Sequence, residues 1–328
     1  MNVNATTDQT DETGSAPDTS PEPGPGQSAG GIVVGYDGSA ASRIALDWAI
    51  ETARERGRPL TIVHGMNVPA TGYPAMDLAQ VEPLYERTAR EIVAEGAERA
   101  QHTLELNQIE TQYWLGSPAG QIIEASKNAE LVVLGSRGRG RILGGLLGST
   151  SYAVAAHAHC PVVIVRAPEG EDPEDLPAPN RPGADHPILV GSDDSPPSER
   201  AVDVAARTAA ETGAKLHIVR VAQPLTVNTW SGLEAGDGAG LEQSEKVLAW
   251  AEESLAKTAG RVRAAHPDLE VTTEAVFGDP GTVLAELGQN AGLIVVGSRG
   301  RGGFTGMLLG SVSHRVIHDA VCPVMVVR

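Results

Sequence analysis

The sequence predicts an α/β protein of two tandem, doubly wound domains. Each would be a five-stranded parallel sheet in the order 3-2-1-4-5 with helices on both faces. Three observations carry this expectation. Short β-branched runs alternate with helical patterns through both halves of the chain. A seventeen-residue string occurs twice, as GSRGRGRILGGLLGSTS at 135–151 and GSRGRGGFTGMLLGSVS at 297–313, identical at twelve positions and offset by 162. Each copy directly follows a short apolar run, LVVLG or LIVVG.

The elements follow in order. The first strands lie in GIVVGYDGS at 31–39 and PILVGSDDS at 187–195, whose apolar starts suit buried parallel strands. Helical patterns come next at 41–57 and 198–214, then second strands at 60–65 and 216–221. Long amphipathic helices are expected near 77–106 and 240–265, and third strands near 109–115 and 269–277. A Gly-x-Pro turn (116–118, 278–280) and a short helix lead to the fourth strands. After the glycine-rich strings come short helices and terminal strands at 161–166 and 323–328. Asp37 and Gly135 are 98 residues apart and Asp193 and Gly297 are 104 apart, so the second half carries an insertion of about six residues, placed after its second strand.

The chain has 328 residues, comfortable for two domains with real cores. Its net charge is −17, but 1–29 hold five acids and no Lys or Arg, and 167–187 hold six acids and one Arg. Those two stretches account for about −10 of the total, so the domains are only mildly acidic. Nucleic acid is not an expected partner, because neutralising phosphates needs a basic face. Residues 1–29 form an expected disordered acidic tail and 167–186 an extended Pro/acidic linker, which sets the domains at 30–166 and 187–328. No apolar run reaches the roughly 18 residues of a membrane helix, and the N-terminus lacks the pattern of a secretory signal, so a cytoplasmic location and no membrane partner are expected. The two cysteines, Cys160 and Cys322, precede proline in CPVVIVR and CPVMVVR and read as buried thiols.

The glycine strings point to a ligand. In an open parallel sheet, ligands sit beyond the C-terminal strand ends where the strand order reverses. Asp37 ends the first strand and Gly135 the fourth, so neighbouring strands bring them to one crevice. Glycines let the loop approach a ligand closely, and successive amides form a nest for anions. Gly148-Ser149-Thr150 then opens a helix, with Ser149 expected to cap it. A P-loop is excluded, since neither string has a lysine, and a dinucleotide fingerprint belongs after the first strand rather than the fourth.

The pattern G-x2-G-x9-G-S/T falls on Gly135, Gly138, Gly148 and Ser149, and again on Gly297, Gly300, Gly310 and Ser311. With the turn after strand one and the CPV strand, it resembles the universal stress protein family, and most of all its tandem members. The resemblance covers nearly all of 30–166 and 187–328. It implies one ATP per domain, with Mg²⁺ as a candidate companion and the metal ligands unassigned. Asp37 and Asp193 would contact the adenosine portion, and the backbone around Gly65 and Val221 would line the adenine pocket. The phosphates would fall to Ser149-Thr150, to Ser311-Val312 and to the loops. Val312 departs from Thr150 and removes a hydroxyl.

The remaining binding candidates are Gly35, Ser136, Arg137, Arg139, Gly140 and Arg141 in the first half. In the second they are Gly191, Ser298, Arg299, Arg301, Gly302 and Gly303. The arginines could pair with phosphates or sit on a solvated loop. Asp194 reads as a solvated turn residue. His64 has Arg220 as its counterpart, so no duplicated catalytic role is expected, and no catalytic residue is assigned. The leading reading is a regulatory ATP-binding protein of stress response or growth control. The alternatives are a slow ATP hydrolase or nucleotide-transferring enzyme, and a scaffold keeping the loops for folding alone. The fifth strands, VVIVR at 162–166 and VMVVR at 324–328, should lie at sheet edges and pair with each other, giving an intramolecular pseudo-dimer. The resemblance also implies a homodimer of chains.

Overall fold

The structure, a computed structural model, describes residues 30–67, 78–138, 147–166, 178–223, 237–301 and 309–328. The expected tail and the first part of the linker lie outside these. The first half runs β1 (Gly31–Gly35), α1 (Ala40–Arg56), β2 (Leu60–Met66), α2 (Leu78–Ala100), β3 (Ile109–Leu115), α3 (Pro118–Ala125), β4 (Ala129–Gly135), α4 (Ser149–His157) and β5 (Val162–Val165). The second repeats it as β6 (Ile188–Gly191), α5 (Pro196–Thr212), β7 (Leu216–Ala222), α6 (Asp237–Ala265), β8 (Val271–Phe277), α7 (Pro280–Leu287), β9 (Leu293–Gly297), α8 (Ser311–Asp319) and β10 (Val324–Val327). The apolar spacing of α2 continues to Leu104, which is buried, but the helix itself stops at Ala100 and the chain goes on through turns.

Each half has the strand order 3-2-1-4-5, and all neighbours within a half are parallel. The halves are not separate sheets. β5 and β10 pair antiparallel, Val324 with Ile164 and Val326 with Val162, giving one ten-stranded sheet. Pairing these two edges removes the exposed β-branched edge that each half would otherwise present.

Strand alternation divides the core. Ile32 and Val34 of β1 face α1 and α2, while Val33 faces the side covered by α3 and α4. Both faces are apolar, as expected for parallel strands covered by helices. The first helix of each half is bounded alike. Ser39 and Ser195 cap α1 and α5 through the N–H groups of Ser42 and Ser198, and Gly57 and Gly213 end them with φ of 59° and 67°.

The seam between the halves has more than a ladder. Tyr152 of α4 meets His314 of α8 edge-to-face, with ring centroids 6.1 Å apart. Arg328 donates to the carbonyl of Ala156 across the seam. Arg181 of the linker lies over the Trp48 ring of α1 and donates to Trp48 O at 2.8 Å, Thr52 Oγ1 at 3.1 Å and Glu55 at 2.7 Å. Among the described residues no helix is long and apolar enough to cross a membrane.

Candidate functional site

The strand order places the ends of β1 and β4 side by side, and β2 lies on the other side of β1. A cavity of about 470 Å³ opens beyond these ends. Gly35, Asp37, Gly65, Gly135, Arg137, Gly138, Gly148, Ser149 and Thr150 all line it. Ser136 is buried beside them, its N–H donating to Val165 O at 2.8 Å. Arg139, Gly140 and Arg141 lie outside the described residues.

The loop geometry explains the glycines. A Cβ on Gly138 would stand 2.6 Å from Asp37 Oδ2, so a side chain here would push the carboxylate away. At Gly135 a Cβ would meet the Ala41 backbone at 2.7 Å, and at Gly65 the Pro118 Cα at 2.6 Å. Asp37 is oriented by its own turn, with Ser39 N–H on Oδ1 at 3.0 Å. The loop closes where Gly148 N–H donates to Ser136 O at 2.9 Å and Ser151 Oγ to Gly135 O at 2.7 Å.

Sequence reasoning placed the helix cap one residue late. Gly148 is the N-cap of α4, and Ser149 is its first helical residue. A glycine has no side chain with which to cap, so the first N–H groups of α4 keep their donors for whatever enters the cavity. Thr150 lines the same wall.

Several lining residues escaped the sequence reading: Tyr36, Ser42, Met66, Asn67, Pro118 and Ile122 among them. The Gly-x-Pro turn was the available signal for Pro118, since it brings α3 under the end of β2. Tyr36 is buried, and its hydroxyl donates to Glu95 at 2.8 Å. Burial and the Glu95 carboxylate push its hydroxyl pKa up to about 12. The Tyr36 carbonyl accepts from His64 Nδ1 at 2.7 Å, which fixes the proton on that nitrogen.

The second half rebuilds the same backbone. Gly310 caps α8 and donates to Ser298 O at 2.7 Å, Ser313 Oγ reaches Gly297 O at 2.7 Å, and Ser298 N–H reaches Val327 O at 2.6 Å. A Cβ on Gly300 would lie 2.5 Å from Asp193 Oδ2. Ser311 and Val312 open α8 as Ser149 and Thr150 open α4, and Val312 packs on the core. Gly191 ends β6 as Gly35 ends β1, each close against a leucine, Leu284 or Leu134. Arg299 lies near enough to Arg328 to oppose its charge. Gly302 and Gly303 lie outside the described residues.

The side chains differ. Val221, where the first half has Gly65, packs its side chain on the α7 face of the core. Asp194 is not a solvated turn residue. It accepts from Arg220 at 2.6 Å and from Ser254 Oγ at 2.7 Å, and pairs with Arg301 at 3.3 Å. Arg220 is buried and lies 4.3 Å from the Trp250 ring centroid. The sequence hid this cluster because Trp250 and Ser254 stand on α6, far along the chain from the turn. Asp193 accepts the Arg301 N–H at 2.9 Å on one oxygen, and the Ser195 N–H and hydroxyl on the other. Burial opposes its charge, but these donors outweigh burial and hold the carboxyl below the usual range.

Fold and site together define a tandem doubly wound α/β protein with a glycine loop at the strand ends of each half and a cavity at that of the first. The family model described as "Universal stress protein family" matches residues 30–166 and again 186–328. The universal stress protein Rv2005c of Mycobacterium tuberculosis is 37% identical over 302 residues, 91% of this chain and 97% of that protein. A universal stress protein of Mycolicibacterium smegmatis is 36% identical over 311 residues, 91% and 97% of the two chains. Among solved structures, a universal stress protein from Archaeoglobus fulgidus superposes with a TM-score of 0.62 over 92% of this chain and 96% of that one, at 23% identity. The chain belongs to the universal stress protein family.

Proposed function

We propose that the protein is a regulatory ATP-binding member of its family, acting in the cytoplasm in stress response or growth control, with one nucleotide crevice in each half. One observation carries the reading. Nine candidate residues from separate segments converge on one cavity, opposite a helix N-terminus whose cap is glycine. Asp37 would accept from a ribose hydroxyl, the β2 end around Gly65 would meet the adenine, and the α4 amides would meet the phosphates. The cavity volume of about 470 Å³ falls within the range of small-molecule sites. Among the described residues no group of three or more His, Cys, Asp or Glu could hold a metal, so Mg²⁺ would arrive on the phosphates, with Thr150 as its neighbour. A homodimer of chains is part of the proposal and rests on the family resemblance.

A hydrolase would need a positioned base at the phosphates. His64 commits Nδ1 to the Tyr36 carbonyl, and its counterpart is Arg220. The experiment is mass spectrometry of small molecules released from natively purified protein, followed by calorimetry with ATP and a turnover assay. Adenine nucleotide release with saturable ATP binding is expected. A folded protein that releases none and binds none would contradict the reading, and fast turnover would favour the hydrolase.

A further inference from the structure

The second half has an acidic turn residue beside its glycine loop where the first has glycine. Asp194 occupies the turn position of Gly38, and both have positive φ, 60° and 76°. An L-residue in this region is strained, though Asp tolerates it better than most. What the strained residue does is visible in its contacts. Its carboxylate accepts from Arg220 at 2.6 Å and Ser254 at 2.7 Å, and from the Arg301 guanidinium at 3.3 Å. Trp250, one turn before Ser254 on α6, lies 4.3 Å from the Arg220 guanidinium carbon and 5.4 Å from that of Arg301. Arg301 belongs to the glycine loop, and its N–H sits on Asp193. The loop arginine is therefore held on the protein's own acids and ring at three points.

We propose that Asp194 is a positioning residue that sets the affinity of the second crevice for phosphate-bearing ligands, by holding Arg301 on the protein so that a phosphate must displace Asp194 to recruit it. The inference rests on the nucleotide reading and deepens it. In the Arg301–Asp194 pair the arginine is half exposed and the aspartate about a quarter, and such pairs and cation–π contacts are individually weak. The latch should therefore weaken binding by about tenfold rather than abolish it. Arg220, buried beneath, keeps Asp194 from swinging away.

The test transplants the first half's residues. The double variant Asp194→Gly/Arg220→His gives the second half the pair present as Gly38 and His64 and leaves no buried arginine behind. Asp194→Asn keeps the loop conformation accessible and an oxygen for Arg220 to donate to, while removing the charge that Arg220 and Arg301 both face. Full-length protein is titrated with ATP by calorimetry while Trp250 emission is followed, with Trp250→Phe as the control. In the natural sequence a tight phase should leave Trp250 emission unchanged, and a phase about tenfold weaker should change it. In both variants, which free Arg301 from Asp194 but leave its Trp250 contact, the weak phase should tighten about three- to fivefold towards the tight one. Two equal phases in the natural sequence, or variants that keep their fold and an unchanged weak phase, would overturn the proposal. A folded protein with no binding phase at all would instead overturn the nucleotide reading beneath it.

Discussion

The two halves share a backbone and differ in what they place on it. Gly148 and Gly310 close their loops on Ser136 and Ser298 at 2.9 and 2.7 Å, and Ser151 and Ser313 pin the strand ends at the same 2.7 Å. Both halves tie their first helix to the second by an arginine–aspartate pair, Arg99 with Asp47 and Arg261 with Asp203. Yet the turn residue is glycine in one half and a three-partner aspartate in the other. His64, bonded to a carbonyl, becomes Arg220, bonded to that aspartate. Thr150 at a cavity wall becomes Val312, partly buried against the core. Main-chain hydrogen bonds and glycines preserve the shape of the loop, while the side chains around it differ.

The comparison can be broken hardest at the seam, which must hold for the halves to be read as one molecule. Val326 is fully buried between β9 and β5. Val326→Lys leaves a buried charge without a partner and should cost about 3–5 kcal/mol in denaturant unfolding. A loss under 1 kcal/mol would mean that the halves do not depend on this pairing. The next largest effect separates the loops. Gly138→Ala drives a methyl group into the space of Asp37 and should weaken ATP binding at the tight site about a hundredfold, with the sheet intact by circular dichroism. The equivalent Gly300→Ala should reduce only the weaker phase. An equal effect of either change on both phases would erase the distinction between sites.

The architecture was largely legible in the sequence, because the features that set it are local. β-branched runs gave the strands of both halves, and Ser39, Gly57, Ser195 and Gly213 bound their helices by short-range rules. Asp37 and the Gly138 loop were legible for another reason: parallel topology forces the ends of β1 and β4 together, so two distant motifs must meet. Asp194 was misjudged because its role depends on Arg220, Ser254 and Arg301, which only the tertiary fold brings to it. The cap of α4 was misplaced by one residue because a serine after a glycine looks like a cap, whereas here the closing bond from Gly148 N–H to Ser136 makes the glycine the first fixed residue.

Two smaller effects sharpen the comparison further. Arg181 ties the linker to α1 of the first half through one ring and three acceptors. Arg181→Ala should lower stability by about 2 kcal/mol and leave both ATP phases in place. A change in either phase would connect the linker to the crevices. The cysteines should behave alike in both halves. Burial pushes the Cys160 and Cys322 thiols up to about 12, so neither forms much thiolate at neutral pH. Native protein at pH 7.5 should resist iodoacetamide at both positions, and rapid labelling of one would show that its half opens more readily.

The central proposal is that one backbone, built twice, makes two nucleotide sites of unequal access. Native mass spectrometry of the full chain over a range of ATP concentrations counts occupied sites directly. The account predicts a species with one ATP that accumulates first, and a two-ATP species that follows at concentrations about tenfold higher. Two ATP molecules binding with equal affinity, or a folded chain that never acquires one, would contradict it.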